Sequence, residues 1–215
     1  MHNSPRYIVI EGPIGVGKSS LAHKLAQSFS ADMVMEKAEA NPFLERFYKD
    51  PRGAALPTQL FFLFQRAKQM QYMRQSDMFS PVRISDFLLD KDRLFARLNL
   101  EDDEYWLYEQ IYQQLSLDAP VPDLVVYLQA PAEVLLKRVE KRGINYEQDM
   151  RKEYLERLSN AYTNFFHNYD RSPLLVVNTS RINPIENEQD YAILLDKIRF
   201  TKHGRHYFNP APIME

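Results

Sequence analysis

The chain has 215 residues, a formal net charge of −2 and no cysteine. That length suits one domain, or one domain with a small lid, and buries an ample core without staples. The missing thiols exclude a disulfide framework and a thiolate zinc site, the near-balanced charge gives no footprint for a nucleic-acid polymer, and no apolar run approaches membrane-spanning length. Residues 1–6 carry no apolar signal segment, so the cytoplasm is the expected compartment.

Tyr7-Ile8-Val9-Ile10-Glu11 reads as a buried strand, and Leu21, Leu25 and Ala26 recur at helical spacing further on. Between them lies Gly12-Pro13-Ile14-Gly15-Val16-Gly17-Lys18-Ser19-Ser20, a P-loop in its required strand-to-helix context. Gly12, Gly15, Val16, Gly17, Lys18, Ser19 and Ser20 are therefore the predicted phosphate cradle of a nucleoside triphosphate. Backbone N–H groups and the helix N-terminus line it, Lys18 reaches the β- and γ-phosphates, and the Ser19 hydroxyl ligates Mg²⁺.

Met33-Val34-Met35 predicts a second strand, with Glu36 at its carboxyl end on the P-loop edge. A hydroxyl acceptor is a weak nucleophile, and a carboxylate there takes its proton as phosphoryl transfer proceeds. Glu39 competes for that role. On the helix predicted over 57–75, Gln59 and Arg66 share a face at a spacing of seven. The glutamine amide offers the donor and acceptor that pair with a purine edge, and Arg66 holds Gln59 or a carboxylate in place. Phe61, Phe62 and Phe64 read as core, although one of them facing the pocket would suffice to stack a base.

The run 81–85 is a weaker strand ending at Asp86, a magnesium-organising acid near the phosphates; Asp90 and Asp92 read as the first turn of a solvated helix over 90–116. Leu124–Leu128 and Leu174–Val177 complete five predicted strands, separated by helices over 17–29, 131–142, 150–168 and 187–200 as well. Such alternation predicts an α/β fold with a parallel five-stranded sheet flanked by helices and its ligands on the carboxyl edge. Arg138 and Arg142 end one helix on a common face before Gly143, the arrangement by which a lid brings positive charge to a transferring phosphoryl group. The alternative is a basic helix end satisfying its own dipole. Residues 1–202 form the expected domain, with a lid at about 138–150. The tail 203–215 is expected as a surface extension, with Tyr207 and Phe208 packed back or loose.

No Asn-Lys-x-Asp guanine motif is present, which disfavours a GTPase switch, and a motor would be longer; a small-molecule kinase remains. The chain resembles the deoxynucleoside kinase family, most closely its bacterial deoxyadenosine/deoxyguanosine kinases, from Arg6 to about Phe200. The resemblance rests on the P-loop stretch from Glu11, Asn41-Pro42-Phe43-Leu44, Lys91-Asp92-Arg93-Leu94-Phe95-Ala96, Pro122–Leu128 and Lys141-Arg142-Gly143 leading into Tyr146-Glu147-Gln148. It implies a P-loop kinase fold and a homodimer that phosphorylates the 5′-hydroxyl of a deoxynucleoside, a purine one, with ATP and Mg²⁺. It further implies Glu36 as base, Gln59 as reader of the nucleobase, Arg138 and Arg142 as lid arginines, Glu147 on the sugar 3′-hydroxyl and Tyr48 sharing that hydroxyl. The Glu-Arg-Ser of animal members is Ser85-Asp86-Phe87 here, with Arg83 and Lys91 as candidates for the displaced arginine. A nucleoside monophosphate kinase and an inactive nucleotide-binding regulatory subunit are the rival readings. The helix reaching 116 carries Tyr105, Trp106, Tyr108 and Tyr112, as interface or as core.

Overall fold

The computed structural model describes residues 5–51, 53–75, 82–115, 119–148 and 150–210. Pro81, Ser116 and residues 211–215, which belong to expected elements or the tail, lie outside them. The strands are β1 (Tyr7–Glu11), β2 (Asp32–Val34), β3 (Arg83–Ser85), β4 (Leu124–Gln129), β5 (Leu174–Asn178) and β6 (Arg205–Phe208). The α-helices are α1 (Lys18–Phe29), α2 (Leu44–Lys49), α3 (Ala55–Gln75), α4 (Lys91–Asn99), α5 (Asp102–Leu115), α6 (Ala132–Arg142), α7 (Lys152–His167) and α8 (Glu188–Phe200).

The described sheet has six strands in the order β2-β3-β1-β4-β5-β6, and every pairing is parallel. The five-stranded expectation is thereby corrected. The extra strand comes from the tail, where Leu174 pairs with Arg205 and Val177 with Phe208. The expected helix over 90–116 is two helices, broken at Leu100 and Glu101.

Side chains alternate across the sheet, as strand geometry requires. Ile8 and Ile10 join Leu21, Leu25, Leu135 and Leu194 in the core under α1, α6 and α8. Tyr7 and Val9 join Leu63, Phe87, Tyr108, Leu158 and Tyr162 in the core under α3, α4, α5 and α7. Glu11 continues the Tyr7–Val9 parity and is fully buried, so a carboxylate sits at the top of the second core. Parallel pairing puts all the strand carboxyl ends on one edge, where the P-loop, Glu36 and Asp86 emerge together.

Candidate active site

The P-loop is pressed against its supports. Gly12 has φ +150° and Gly15 φ +82°, and a Cβ would meet Leu128 O at 2.5 Å in the first case and Leu135 O at 2.7 Å in the second. Only glycine fits either position, because the loop packs directly on β4 and α6. The Lys18 ammonium donates to Gly12 O at 2.8 Å and Pro13 O at 3.2 Å. Burial, and then the charge of Lys91, pull its pKa down to about 8, against the opposing fields of Glu11, Glu36 and Asp86. Ser19 Oγ donates to Asp86 Oδ2 at 2.6 Å, while Asp86 Oδ1 accepts from Glu36 N at 2.8 Å. One carboxylate thus ties the P-loop helix to the segment after β2.

A chain of alternating charges runs inward from there. Arg66 Nη2 pairs with Glu36 Oε1 and Arg66 Nη1 with Asp92 Oδ1. Lys91 Nζ stands 3.3 Å from Glu36 Oε2 and 3.7 Å from Glu11 Oε1. Glu11 also accepts from Gly12 N at 2.9 Å, Leu88 N at 2.7 Å and Tyr162 OH at 2.9 Å. Burial pushes the Glu36 pKa up, but Arg66, Lys91 and Lys18 together outweigh it and hold the carboxyl at about 2.

Lys18, Ser19, Glu36, Tyr48, Gln59, Arg66, Asp86, Arg142 and Glu147 all line one cavity of about 220 Å³. Asn41 braces its floor, donating to Thr58 O at 3.2 Å and accepting from Phe43 N at 3.0 Å, which sets α2 and its Tyr48 against α3. Tyr48 stacks on Tyr146 with ring centres 6.1 Å apart, and burial raises its pKa. Across the mouth, Arg142 Nη2 donates to both oxygens of Glu147 at 2.6 Å, closing the turn that follows Gly143. Phe62 packs against the core and also lines the cavity, with the Arg66 guanidinium 5.0 Å from its ring centre, so of the three it is the ring facing the pocket; Phe64 is exposed, which corrects its expected place in the core.

Gly15, Val16, Gly17 and Ser20 face a second cleft of about 400 Å³, shared with Arg138, Thr179, Pro184 and Ile185. Arg138 donates to Val16 O at 3.2 Å, Thr179 Oγ1 at 3.1 Å and Thr179 O at 2.9 Å. The two arginines of α6 therefore divide: Arg142 reaches both clefts and Arg138 only the second. Glu39 is exposed at the cavity rim and Glu36 is enclosed, which separates the two competing acids.

Asp92 was expected on a solvated helix and is buried against Arg66. Lys91 and Asp92 lie in phase with Leu94, Phe95 and Leu98, so the apolar stripe of α4 was the signal that both point inward. Arg83 turns away, donating to Met73 O at 2.7 Å, whereas Lys91 stands beside Glu36. Glu11, Tyr162 and Thr179 were not anticipated at the site.

The profile of the family described as "Deoxynucleoside kinase" matches residues 8–202. The deoxyguanosine kinase of Bacillus subtilis (strain 168) is 38% identical over 164 residues, covering 74% of this chain and 78% of the relative. The deoxyguanosine kinase of Lactobacillus johnsonii is 30% identical over 207 residues, covering 89% and 90%. Among solved structures, deoxyadenosine kinase from M. mycoides with bound dATP superposes with a TM-score of 0.78 at 25% identity, covering 89% of this chain and 98% of that one. A P-loop and a second, carboxylate-guarded cavity on one sheet edge, in a chain matched by this family along nearly its whole length, make the protein a member of the deoxynucleoside kinase family, with a P-loop kinase fold and the activity of phosphorylating deoxynucleosides.

Proposed function

We propose that the chain transfers the γ-phosphoryl group of ATP to the 5′-hydroxyl of a purine deoxynucleoside in a salvage reaction. The observation that carries this reading is that Lys18 of the P-loop, the carboxylate Glu36 and the buried amide of Gln59 line one cavity. Gln59 is buried, and its amide makes no hydrogen bond to another described side chain, so its donor and acceptor are available to a purine edge. Tyr48 and Glu147 take the sugar, and Phe62 lies against the base. Glu36, ionised across the neutral range, accepts the hydrogen bond of the 5′-hydroxyl, orients it and takes the proton late, when the phosphoryl group has made that oxygen acidic. Lys91 substitutes for the family's displaced arginine in fixing Glu36. Lys18 and Arg142 meet the charge on the transferring group, and Arg138 holds the donor cleft.

The residues fit Mg²⁺. Ser19 Oγ and Asp86 Oδ2 present hard oxygens at the P-loop helix, and this ion is characteristically bound by one or two protein oxygens, substrate phosphates and water. When bound, it neutralises charge on the donor's phosphates.

The monophosphate-kinase reading needs cations for the acceptor's phosphate. On the acceptor side, the buried cations Arg66 and Lys91 are matched to Glu36, Asp92 and Glu11. Initial rates with ATP and Mg²⁺ on the four deoxynucleosides and their 5′-monophosphates test the proposal. Purine deoxynucleosides are expected to give the highest kcat/KM and monophosphates no turnover. Faster reaction of a monophosphate, or no reaction with any acceptor, would overturn it.

The chain acts in the cytoplasm as a homodimer, joined through the face that α3 and α5 present together. The two helices pack together, and each exposes a large apolar side chain, Phe64 of α3 at 53% and Trp106 of α5 at 65%. Residues 1–202 are the kinase domain, with its lid at about 138–150.

A further inference from the structure

Lys24 lies six residues beyond Lys18 on α1, about 9 Å along the axis at 1.5 Å per residue. Its ammonium donates to Pro184 O and Ile185 O at 3.3 Å each and to Glu188 Oε1 at 2.6 Å. It also stands 4.4 Å from the centre of the Tyr191 ring. Pro184 and Ile185 form part of the wall of the second cleft, which Gly15, Val16, Gly17 and Ser20 also line.

The remaining ties of that wall come from other directions. Asn183 Oδ1 accepts from Ile185 N and Glu186 N within the loop, and Asn183 N donates to Asp190 Oδ2 of α8. Lys141 of α6 reaches Glu186 at 3.4 Å in an exposed pair, which contributes little in water. Ser28 Oγ meets Tyr191 OH at 2.5 Å, joining α1 to α8 without touching the loop. Lys24 couples the wall itself to the helix whose first turn holds the phosphates.

We propose that Lys24 is a positioning residue for the phosphate donor: it fixes the Pro184-Ile185 wall at a set distance from the P-loop and so sets the width of the cleft that takes the donor's nucleoside. The proposal rests on the reading of ATP as donor, with its phosphates on the P-loop. A helix is stiff, so one element registers both ends of the same ligand. When the wall is released, the donor must order the loop as it binds, and its affinity falls without a change at the reacting atoms.

Lys24→Met keeps the aliphatic stem, leaves Glu188 in solvent and lets water reach the carbonyls, so the fold should survive. Its expected effect is a rise in the KM and Kd for ATP on the order of tenfold, with kcat and the deoxynucleoside KM within about twofold of wild type. Inhibition by inorganic tripolyphosphate, which occupies the P-loop without a nucleoside, should be unchanged, and Lys24→Arg should recover most of the ATP affinity. Ser28→Ala, which loosens α1 from α8 alone, should leave the ATP KM unaltered. An unchanged ATP KM in Lys24→Met overturns the proposal, as does equal weakening of ATP and tripolyphosphate, or Ser28→Ala reproducing the effect. A wild-type protein that turns over deoxynucleosides without binding ATP overturns the donor reading itself, and this inference with it.

Discussion

Lys18 is held at a pKa of about 8 because it is buried beside Lys91. Donor phosphates supply the counter-charge it lacks, so binding raises that pKa back toward the ordinary lysine value near 10.4. Between those two values the complex holds more protons than the free protein. Calorimetric titration with ATP at about pH 8.5, in two buffers of different ionisation heat, should show uptake of a fraction of a proton per site, and Lys18→Met should abolish it. Heats independent of buffer would contradict this. Glu36 has the opposite sign. Its folded pKa is depressed to about 2, so its share of stability is complete above the unfolded value near 4.3 and is lost as pH falls from there toward 2. Arg66 underlies that depression and also neutralises buried Asp92. Arg66→Met leaves buried Asp92 without its partner and Glu36 with Lys91 alone, and should cost about 3–5 kcal/mol, a Tm loss of about 6–20 °C. A loss below about 2 °C would show that the pairs carry no such weight.

Among the elements, α3 projects Gln59, Phe62 and Arg66 into one cavity within eight residues. Gln59→Ala should leave a purine edge unpaired and cost about 1–3 kcal/mol, lowering kcat/KM on the preferred nucleoside and narrowing discrimination among bases. Unchanged base preference in the folded variant would place the reader elsewhere. The P-loop, Glu36, Asp86 and the Gln59/Arg66 face were legible in the sequence because each depends on local spacing next to an apolar strand or stripe. Strand β6 was not. As an edge strand half in solvent, Arg205-His206-Tyr207-Phe208 lacks the apolar run that marks β1 or β4. The break between α4 and α5 was hidden in continuous helical patterning; α4 ends where Leu100 turns to extended backbone, its N–H still on Ala96 O. Asp92 departs from its reading on a solvated helix because charge outweighed phase there, whereas Lys91, a candidate for the displaced arginine, does stand beside Glu36. A charged residue on an apolar stripe is a buried polar site, and its partners, Glu36 and Arg66, come from distant segments that local spacing does not reveal.

Across the whole molecule, two cores clamp a parallel sheet whose carboxyl edge carries both cavities, and the proposed dimer would bury the face shared by α3 and α5. Trp106 is the only tryptophan, so its emission reports that face directly. Dilution through the dimer dissociation range should shift emission to the red, and Trp106→Glu should sediment as a monomer. A wild-type monomer at all concentrations would contradict the dimer. In the proposed reaction Glu36 activates the acceptor hydroxyl in the cavity beside the P-loop. Its most direct test is the single-turnover rate constant of Glu36→Gln against wild type, with ATP and deoxynucleoside both saturating and their binding confirmed. The expected result is a fall of about 10²–10⁴-fold with substrate affinities nearly unchanged. A rate constant within about twofold of wild type would contradict it.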